Sequence, residues 1–236
     1  MAVARKPSGP KWEAEAKDQI KSALRRFHKP LADLVDRDAN EGDTRLLVTD
    51  FLCTVLGYDR YADLTTEFAV RGEFADYGIR IDQQLVAFIE VKRAAQDLNA
   101  RHLRQVETYA VKEGLEWVIL TNGRIWQAYN VRAATGQQVV TTLALEVDVL
   151  SDEPSAKKVV RLFHLHRSAL KRQTIGDLWR QQAATAPQAL AEVLQSTAVL
   201  DAIRKEVRRR SGYNPDVKDI EAGLRGQVVR PDLLLP

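Results

Sequence analysis

The sequence predicts an α/β fold in which a mixed central sheet is flanked by helices and followed by a helical C-terminal extension. The first observation behind this prediction is the order of hydrophobic periods, which runs helix, three strands, helix, then strands. The second is the segment "QLVAFIEV" at 84–91, which is almost continuously apolar. Such a run is typical of a central strand that is covered on both faces.

The N-terminal half begins with two predicted helices. Apolar residues recur at helical spacing in "KWEAEAKDQIKSALRRF", and the pattern continues after Pro30. The second helix is "EGDTRLLVTDFLCTVLGYD", with Gly57 as its C-terminal stop. Three strands follow, in "TTEFAVRG", "FADYGIRID" and "QLVAFIEVKR", and short polar turns join them.

An amphipathic helix, "NARHLRQVETYAVKEG", follows these strands. Two more strands, "EWVILTNG" and "RIWQAYNVR", are joined at Asn122-Gly123, a strong hairpin dipeptide, and "QQVVTTLALEVDVL" is a further strand. From residue 155 onward the patterns are helical. We therefore predict one domain over residues 1–150 and a basic helical region over residues 151–236.

Composition restricts the class of protein. With 45% apolar and 28% charged residues, the chain has the makeup of an ordinary globular protein. No apolar run approaches the roughly 20 residues that span a bilayer, and "MAVARKPSGP" lacks the apolar stretch of a secretory signal. The only cysteine, Cys53, excludes an internal disulfide and a cysteine-based zinc site. We expect a cytoplasmic protein.

Charge is distributed unevenly along the chain. Residues 1–154 carry 20 Lys and Arg against 24 Asp and Glu, whereas residues 155–236 carry 15 against 8. A basic C-terminal third favours a polyanionic partner, although a solvated basic face is an equally valid interpretation. The candidate contacts with nucleic-acid phosphates are Lys157, Arg161, Lys171, Arg208, Arg209 and Arg210.

The segment "FADYGIRIDQQLVAFIEVKR" carries the candidate chemistry. Glu90 interrupts the apolar run, and Lys92 projects from the same strand face because it lies two residues further on. Antiparallel pairing would bring Asp76 beside Glu90. A buried charge is costly unless it is paired or holds a metal. The residues thus permit either a structural ion pair or a site for Mg²⁺ or Mn²⁺ made of two carboxylates and a strand carbonyl.

Three further residues favour the metal site over the ion pair. Glu41 begins the helix that precedes the sheet, while Gln105 and Tyr109 are four residues apart on one face of the next helix. In a metal site, Lys92 would orient or activate the attacking water and stabilise charge that develops on phosphorus.

These motifs resemble the PD-(D/E)XK nuclease superfamily, in the version found at the N-terminal end of type I restriction endonuclease R subunits. The resemblance covers about residues 38–131 and rests on "NEGDTRLLVTDFLCTVLGYD", "DYGI", "IEVKR", "RQVETYA" and "LTNGRIWQAYN". It implies a restriction-endonuclease-like α/β core. It also implies the following roles: Asp76 and Glu90 as metal ligands, Lys92 as the catalytic lysine, Glu41 as an accessory acid, and Gln105 and Tyr109 as the Q-x-x-x-Y element.

The sequence departs from those R subunits because it contains no G-x-x-x-x-G-K-[ST] phosphate loop, so it lacks their ATP-driven motor. We therefore expect a stand-alone Mg²⁺-dependent nuclease acting on DNA, for which a second copy of the chain or a partner protein supplies specificity. The alternative is a nucleic-acid-binding or assembly module of a defence or mobile-element system that has no turnover alone.

Overall fold

A computed structural model describes residues 9–70, 73–133 and 139–233. The predicted strand ends at residues 71–72 and 137–138 lie outside these ranges. The helices within them are α1 (Lys11–Asp36), α2 (Glu41–Thr54), α3 (Ala100–Glu113), α4 (Ser155–Phe163), α5 (Arg167–Leu170), α6 (Thr174–Ala184), α7 (Pro187–Leu194), α8 (Thr197–Ser211) and α9 (Val217–Gly223). The strands are β1 (Leu64–Val70), β2 (Glu73–Ile81), β3 (Gln84–Val91), β4 (Trp117–Thr121), β5 (Ile125–Ala133) and β6 (Val139–Asp148).

The six strands form one sheet whose spatial order equals the order in the chain, from β1 to β6. All neighbouring strands are antiparallel except β3 and β4, which are parallel. A parallel pair requires a crossover connection, and α3 supplies it. The predicted α/β architecture, with a mixed sheet flanked by helices, is therefore confirmed.

Helices cover the centre of the sheet. Val106 and Ala110 of α3 pack with Phe88 of β3 and Val118 of β4 in one buried cluster. In a separate part of the core, Phe51 of α2 stacks on Trp126 of β5, with ring centroids 4.8 Å apart. Strand β3, which carries Phe88, is buried in this core, and its burial accounts for its continuous apolar sequence.

Helix α1 runs without interruption through Pro30. Proline in a helix interior removes one backbone hydrogen bond. Here Pro30 lies on the exposed side of α1, while Ile20, Leu24 and Leu31 on the other side are buried. The buried apolar face thus holds the helix together across the proline.

Helical spacing in the sequence predicts one helix face that carries Lys157, Arg161, His164 and Lys171, and this prediction is wrong. Helix α4 ends at Phe163, and α5 begins only at Arg167, so Lys157 and Lys171 do not share a helix. Between the two helices lies His166, for which the sequence predicts a position at a helix surface and boundary; it lies at the boundary but is buried. Its Nδ1 accepts a hydrogen bond from the backbone N–H of Ser168 at 3.1 Å, which caps α5.

Gly57 follows α2 and makes room for this histidine. Its φ of +72° lies in the left-handed region, and a Cβ built there would lie 2.7 Å from Nε2 of His166. Nε2 of His166 also contacts Oε1 of Gln19 at 3.3 Å. Burial, followed by the charge of Arg167, lowers the pKa of His166 to about 4. The imidazole is therefore neutral in the folded protein at neutral pH.

Replacing His166 with Asn is expected to remove an acid-sensitive part of the stability. The unfolded imidazole takes up a proton near pH 6.5 and the folded one only near pH 4. The wild-type protein therefore loses roughly 1–3 kcal/mol of unfolding free energy as the pH falls through this window, and keeps it above. Asn can still cap α5. Denaturant unfolding between pH 4 and 8 would contradict the assignment if the wild type and His166→Asn differed by a constant amount.

The chain divides into two compact units after Gly176. The sequence-based division placed the boundary after residue 150, but α4 packs against α1 and β6, and α5 packs against α1, all within the first unit. In the second unit, α8 packs against α7 and α9, and Ala191 and Leu200 are buried. Among the described residues, no helix combines the length and the apolar content needed to cross a membrane.

Candidate active site

The candidate site lies where β2 and β3 separate. Their regular pairing ends at Tyr77 and Ile89, one residue before Asp76 and Glu90 would face each other. Instead of continuing the ladder, the backbone N–H of Val91 donates to Oδ2 of Asp76 at 2.7 Å. The pairing thus brings Asp76 to the end of β3, as the sequence predicted.

Asp76 has a second partner that sequence reasoning missed. Nη1 of Arg45, on α2, donates to Oδ1 of Asp76 at 3.1 Å. The same nitrogen lies 3.8 Å from Oε1 of Glu67, an exposed residue of β1. A signal was present in the sequence, because Arg45 follows Glu41 by four residues and therefore lies on the same side of α2.

Glu90 is the most buried acid of the site, with 3% of its surface exposed. Its Oε1 accepts a hydrogen bond from Nζ of Lys92 at 2.6 Å. Its Oε2 is buried and has no hydrogen-bond partner among the described residues. A buried carboxylate oxygen without a partner costs free energy, so Glu90 carries an acceptor that a bound group could satisfy.

Lys92 immediately follows β3, and its backbone N–H donates to the carbonyl of Thr121 at 2.8 Å. The ammonium lies between two carboxylates, since Oε2 of Glu41 is 3.9 Å away in addition to the contact with Glu90. Only 13% of the Lys92 side chain is exposed. The tertiary structure therefore brings Glu41, Asp76, Glu90 and Lys92 into one region.

The two central groups both hold protons more tightly than usual. Burial raises the pKa of Glu90 to about 7, and the negative charges of Asp76 and Glu41 add to this although the Lys92 contact opposes it. Burial by itself would lower the pKa of Lys92, but its hydrogen bond to Glu90 and the three carboxylate charges outweigh burial and raise it. An acid and an ammonium that both shift upward indicate a region that favours positive charge.

A polar pocket of about 470 Å³ opens beside this region. The residues that line it are Glu41, Lys92, Gln96, Arg101, His102 and Gln105. Nε2 of Gln105 donates to the hydroxyl of Tyr109 at 3.2 Å, so the two predicted residues of α3 contact each other. Gln105 is exposed and lines the pocket, whereas Tyr109 is 2% exposed and belongs to the core beneath α3.

The residues present suit a small divalent cation held by two carboxylates. Within the described ranges, no group of three His, Cys, Asp or Glu side chains is arranged to hold a metal ion. Mg²⁺ is commonly bound through one or two carboxylates and retains several waters. Asp76 and Glu90 provide that number, and the unpartnered Oε2 of Glu90 supplies a free acceptor.

The predicted phosphate-binding cations are mostly engaged by carboxylates. Arg161 pairs with Glu153 at 2.7 Å and Lys171 with Asp82 at 2.8 Å. Lys157 is exposed in the first unit. Arg208, Arg209 and Arg210 are exposed in the second unit. There Glu206 pairs with both Arg209 and Arg210. Their role in binding nucleic acid stays a prediction.

Comparison of the chain with protein-family models, with curated proteins and with solved structures found no match in any of the three.

Proposed function

We propose that the protein is a metal-dependent nuclease that hydrolyses phosphodiester bonds, with DNA as its substrate. The observation that carries this proposal is the group of Asp76, Glu90 and Lys92 at the end of β3, in which a buried carboxylate oxygen lacks a partner. A restriction-endonuclease-like core is part of the proposal. The strand order and the α3 crossover between the two parallel strands support it.

Asp76 and Glu90 would hold the Mg²⁺ or Mn²⁺ ion. Such an ion polarises a phosphoryl oxygen and lowers the pKa of a water molecule. The hydrogen bonds from Arg45 and Val91 fix the orientation of the Asp76 carboxylate. Each carboxylate oxygen can accept more than one contact, so these hydrogen bonds leave Asp76 able to act as a ligand.

Lys92 acts as a fixed positive charge in this mechanism. Because its pKa is raised, the ammonium stays protonated at neutral pH and does not serve as a general base. Glu90 and Glu41 hold it at the edge of the pocket. A cation in this position stabilises the negative charge that develops on the phosphoryl oxygens in the transition state. Gln105 lines the same pocket and would contact the substrate there.

A second candidate function is a nucleic-acid-binding or assembly module without turnover, in a defence or mobile-element system. The ion pair between Arg45 and Asp76 favours it, because it already neutralises one of the two acids. The two functions differ in what divalent metal does. It is required for the nuclease and dispensable for the binding module.

The proposal is tested by incubating the protein with supercoiled, linear duplex and single-stranded DNA in Mg²⁺, Mn²⁺ or EDTA. We expect at least one substrate to be cut with Mg²⁺ or Mn²⁺ and none to be cut in EDTA, since the carboxylates need the ion for chemistry. Stable binding of DNA with no cleavage in either metal would support the binding module instead. Cleavage that persists in EDTA would contradict the assigned site.

A further inference from the structure

One stretch of α1 carries several exposed cations and no acid. Between Asp18 and Asp33 the sequence contains no acid. The segment presents four exposed cations, none of which forms a hydrogen bond or ion pair with another described residue: Lys21, Arg25, Arg26 and Lys29. We call these four residues the α1 cluster. By contrast, three other exposed cations of the first unit, Arg60, Arg161 and Lys171, are paired with carboxylates.

Unpaired cations keep their full attraction for an external anion. A salt bridge satisfies a cation locally, so a ligand must compete with the carboxylate for it. Within the described part of the chain, no carboxylate forms an ion pair with a cation of the α1 cluster. Its positive potential is therefore stronger than the overall charge of +3 suggests.

The spacing of the α1 cluster fits a repeating anion. Lys21, Arg25 and Lys29 are four residues apart, which places successive cations about 6 Å apart along one side of the helix. Lys21 and Arg25 line a groove of about 600 Å³ between α1 and α4, to which α4 contributes Ser155, Ala156 and Val159. Among the described residues that line this groove, Asp18 is the only acid. A row of cations along a groove suits an extended polyanion better than a single small ion.

We propose that the α1 cluster binds the phosphate backbone of nucleic acid. A membrane surface fits less well, because membrane-bound helices insert bulky apolar side chains. Here Leu24 and Phe27 are buried, and α1 exposes only polar side chains over residues 21–29. An acidic protein also fits less well, since protein interfaces concentrate apolar and aromatic residues at their centre.

The position of the α1 cluster connects it with the candidate site. Leu34 of α1 packs with Ala39 and Ala94, and Ala94 is two residues beyond Lys92. Arg25 is nine residues before Leu34, or about 14 Å along the helix. A duplex of 20 base pairs is about 68 Å long, so one duplex is long enough to reach both regions. The proposal itself does not require cleavage and is measured without metal.

The experiment compares two triple variants that each remove three exposed cations. Lys21→Gln, Arg25→Gln and Lys29→Gln together change the α1 cluster. The matched control changes Arg60, Arg180 and Arg225 to Gln, each of which is paired with a carboxylate. Affinity for a 20-base-pair duplex is measured in EDTA at several salt concentrations, together with binding to anionic vesicles.

We expect the α1 triple to weaken duplex binding strongly and to flatten the plot of log affinity against log salt by about 2–3, since each phosphate contact contributes about 0.9. The control should change the slope by less than about 1. Equal losses in both triples would overturn the proposal, because only total charge would then matter. No duplex binding by the wild type at low salt would also overturn it, as would vesicle binding that depends on the α1 cluster without duplex binding. Because EDTA prevents metal-dependent cleavage, failure of the nuclease proposal would leave this result intact.

Discussion

Replacing Glu90 with Gln or Lys92 with Ala is expected to lower the rate of DNA cleavage by about 10²–10³-fold or more, with DNA affinity changed by no more than a few-fold. Removing one electrostatic contact to the transition state typically costs this much. Both side chains are nearly buried and contact each other at 2.6 Å. Under the proposed function, they would therefore act on the reacting phosphate rather than bind DNA along the surface. Loss of turnover without loss of binding identifies contacts made only in the transition state.

Lys11 and Glu15 provide the matched control for this pair. They also form a Lys–Glu ion pair, at 3.4 Å, but their side chains are 91% and 63% exposed. Changing either to Ala should leave cleavage at the wild-type rate. Single-turnover cleavage rates and duplex affinities of the four variants test this prediction. Wild-type cleavage by Glu90→Gln or Lys92→Ala would remove that residue from the proposed machinery.

Metal binding is expected to stabilise the wild-type protein at pH 8 and to stabilise Glu90→Gln and Asp76→Asn much less. A ligand that binds only the folded state adds about 2.7 kcal/mol when its concentration is 100 times its Kd. For a chain of 236 residues, this corresponds to a rise in Tm of roughly 5–10 °C. Thermal melts in EDTA, Mg²⁺ and Mn²⁺ measure the effect without requiring the correct substrate. Equal metal responses in all three proteins would place the ion elsewhere.

The wild type and Glu90→Gln are also expected to differ in how their stability in EDTA depends on pH. Glu90 has a pKa of about 7 in the folded protein against 4.5 in the unfolded chain, so the folded state binds more protons between these values. The stability contributed by the protonated carboxyl is complete below pH 4.5 and is lost as the pH rises through 7. The wild type should therefore lose roughly 2–3 kcal/mol relative to Glu90→Gln across this range. Parallel pH profiles of the two proteins would show that Glu90 is ionised throughout.

The candidate site shows how far residue patterns predict contacts. The position of Glu90 inside an apolar run predicted its burial, and the spacing of two residues predicted its contact with Lys92, because alternate strand residues share a face. The pairing of the preceding strand predicted Asp76 nearby. The four-residue spacing places Arg45 on the same side of α2 as Glu41, but its contact with Asp76 joins residues 31 positions apart through the packing of α2 on the sheet, which local spacing does not predict.

The C-terminal region shows where pattern reasoning is weaker. The basic composition of residues 155–236 is a property of the sequence, but pairing of individual cations depends on neighbours that only folding brings close. Lys171, for example, pairs with Asp82, which is 89 positions earlier. The histidines near residue 166 suggested a helix surface and boundary, but not the burial of His166, which contacts Gln19, 147 positions away.

The sequence by itself determined the mixed α/β class and the order of helices and strands as far as β6, since hydrophobic period, turn residues and caps act over a few residues. The Asn122-Gly123 turn between β4 and β5 and the stop of α3 at Gly114 are examples. The tertiary structure alone decided which cations remain unpaired on α1, where β2 leaves β3, and that Glu90 keeps one buried oxygen without a partner. These features arise from long-range packing, which fixes the distances and the burial that electrostatic interactions depend on.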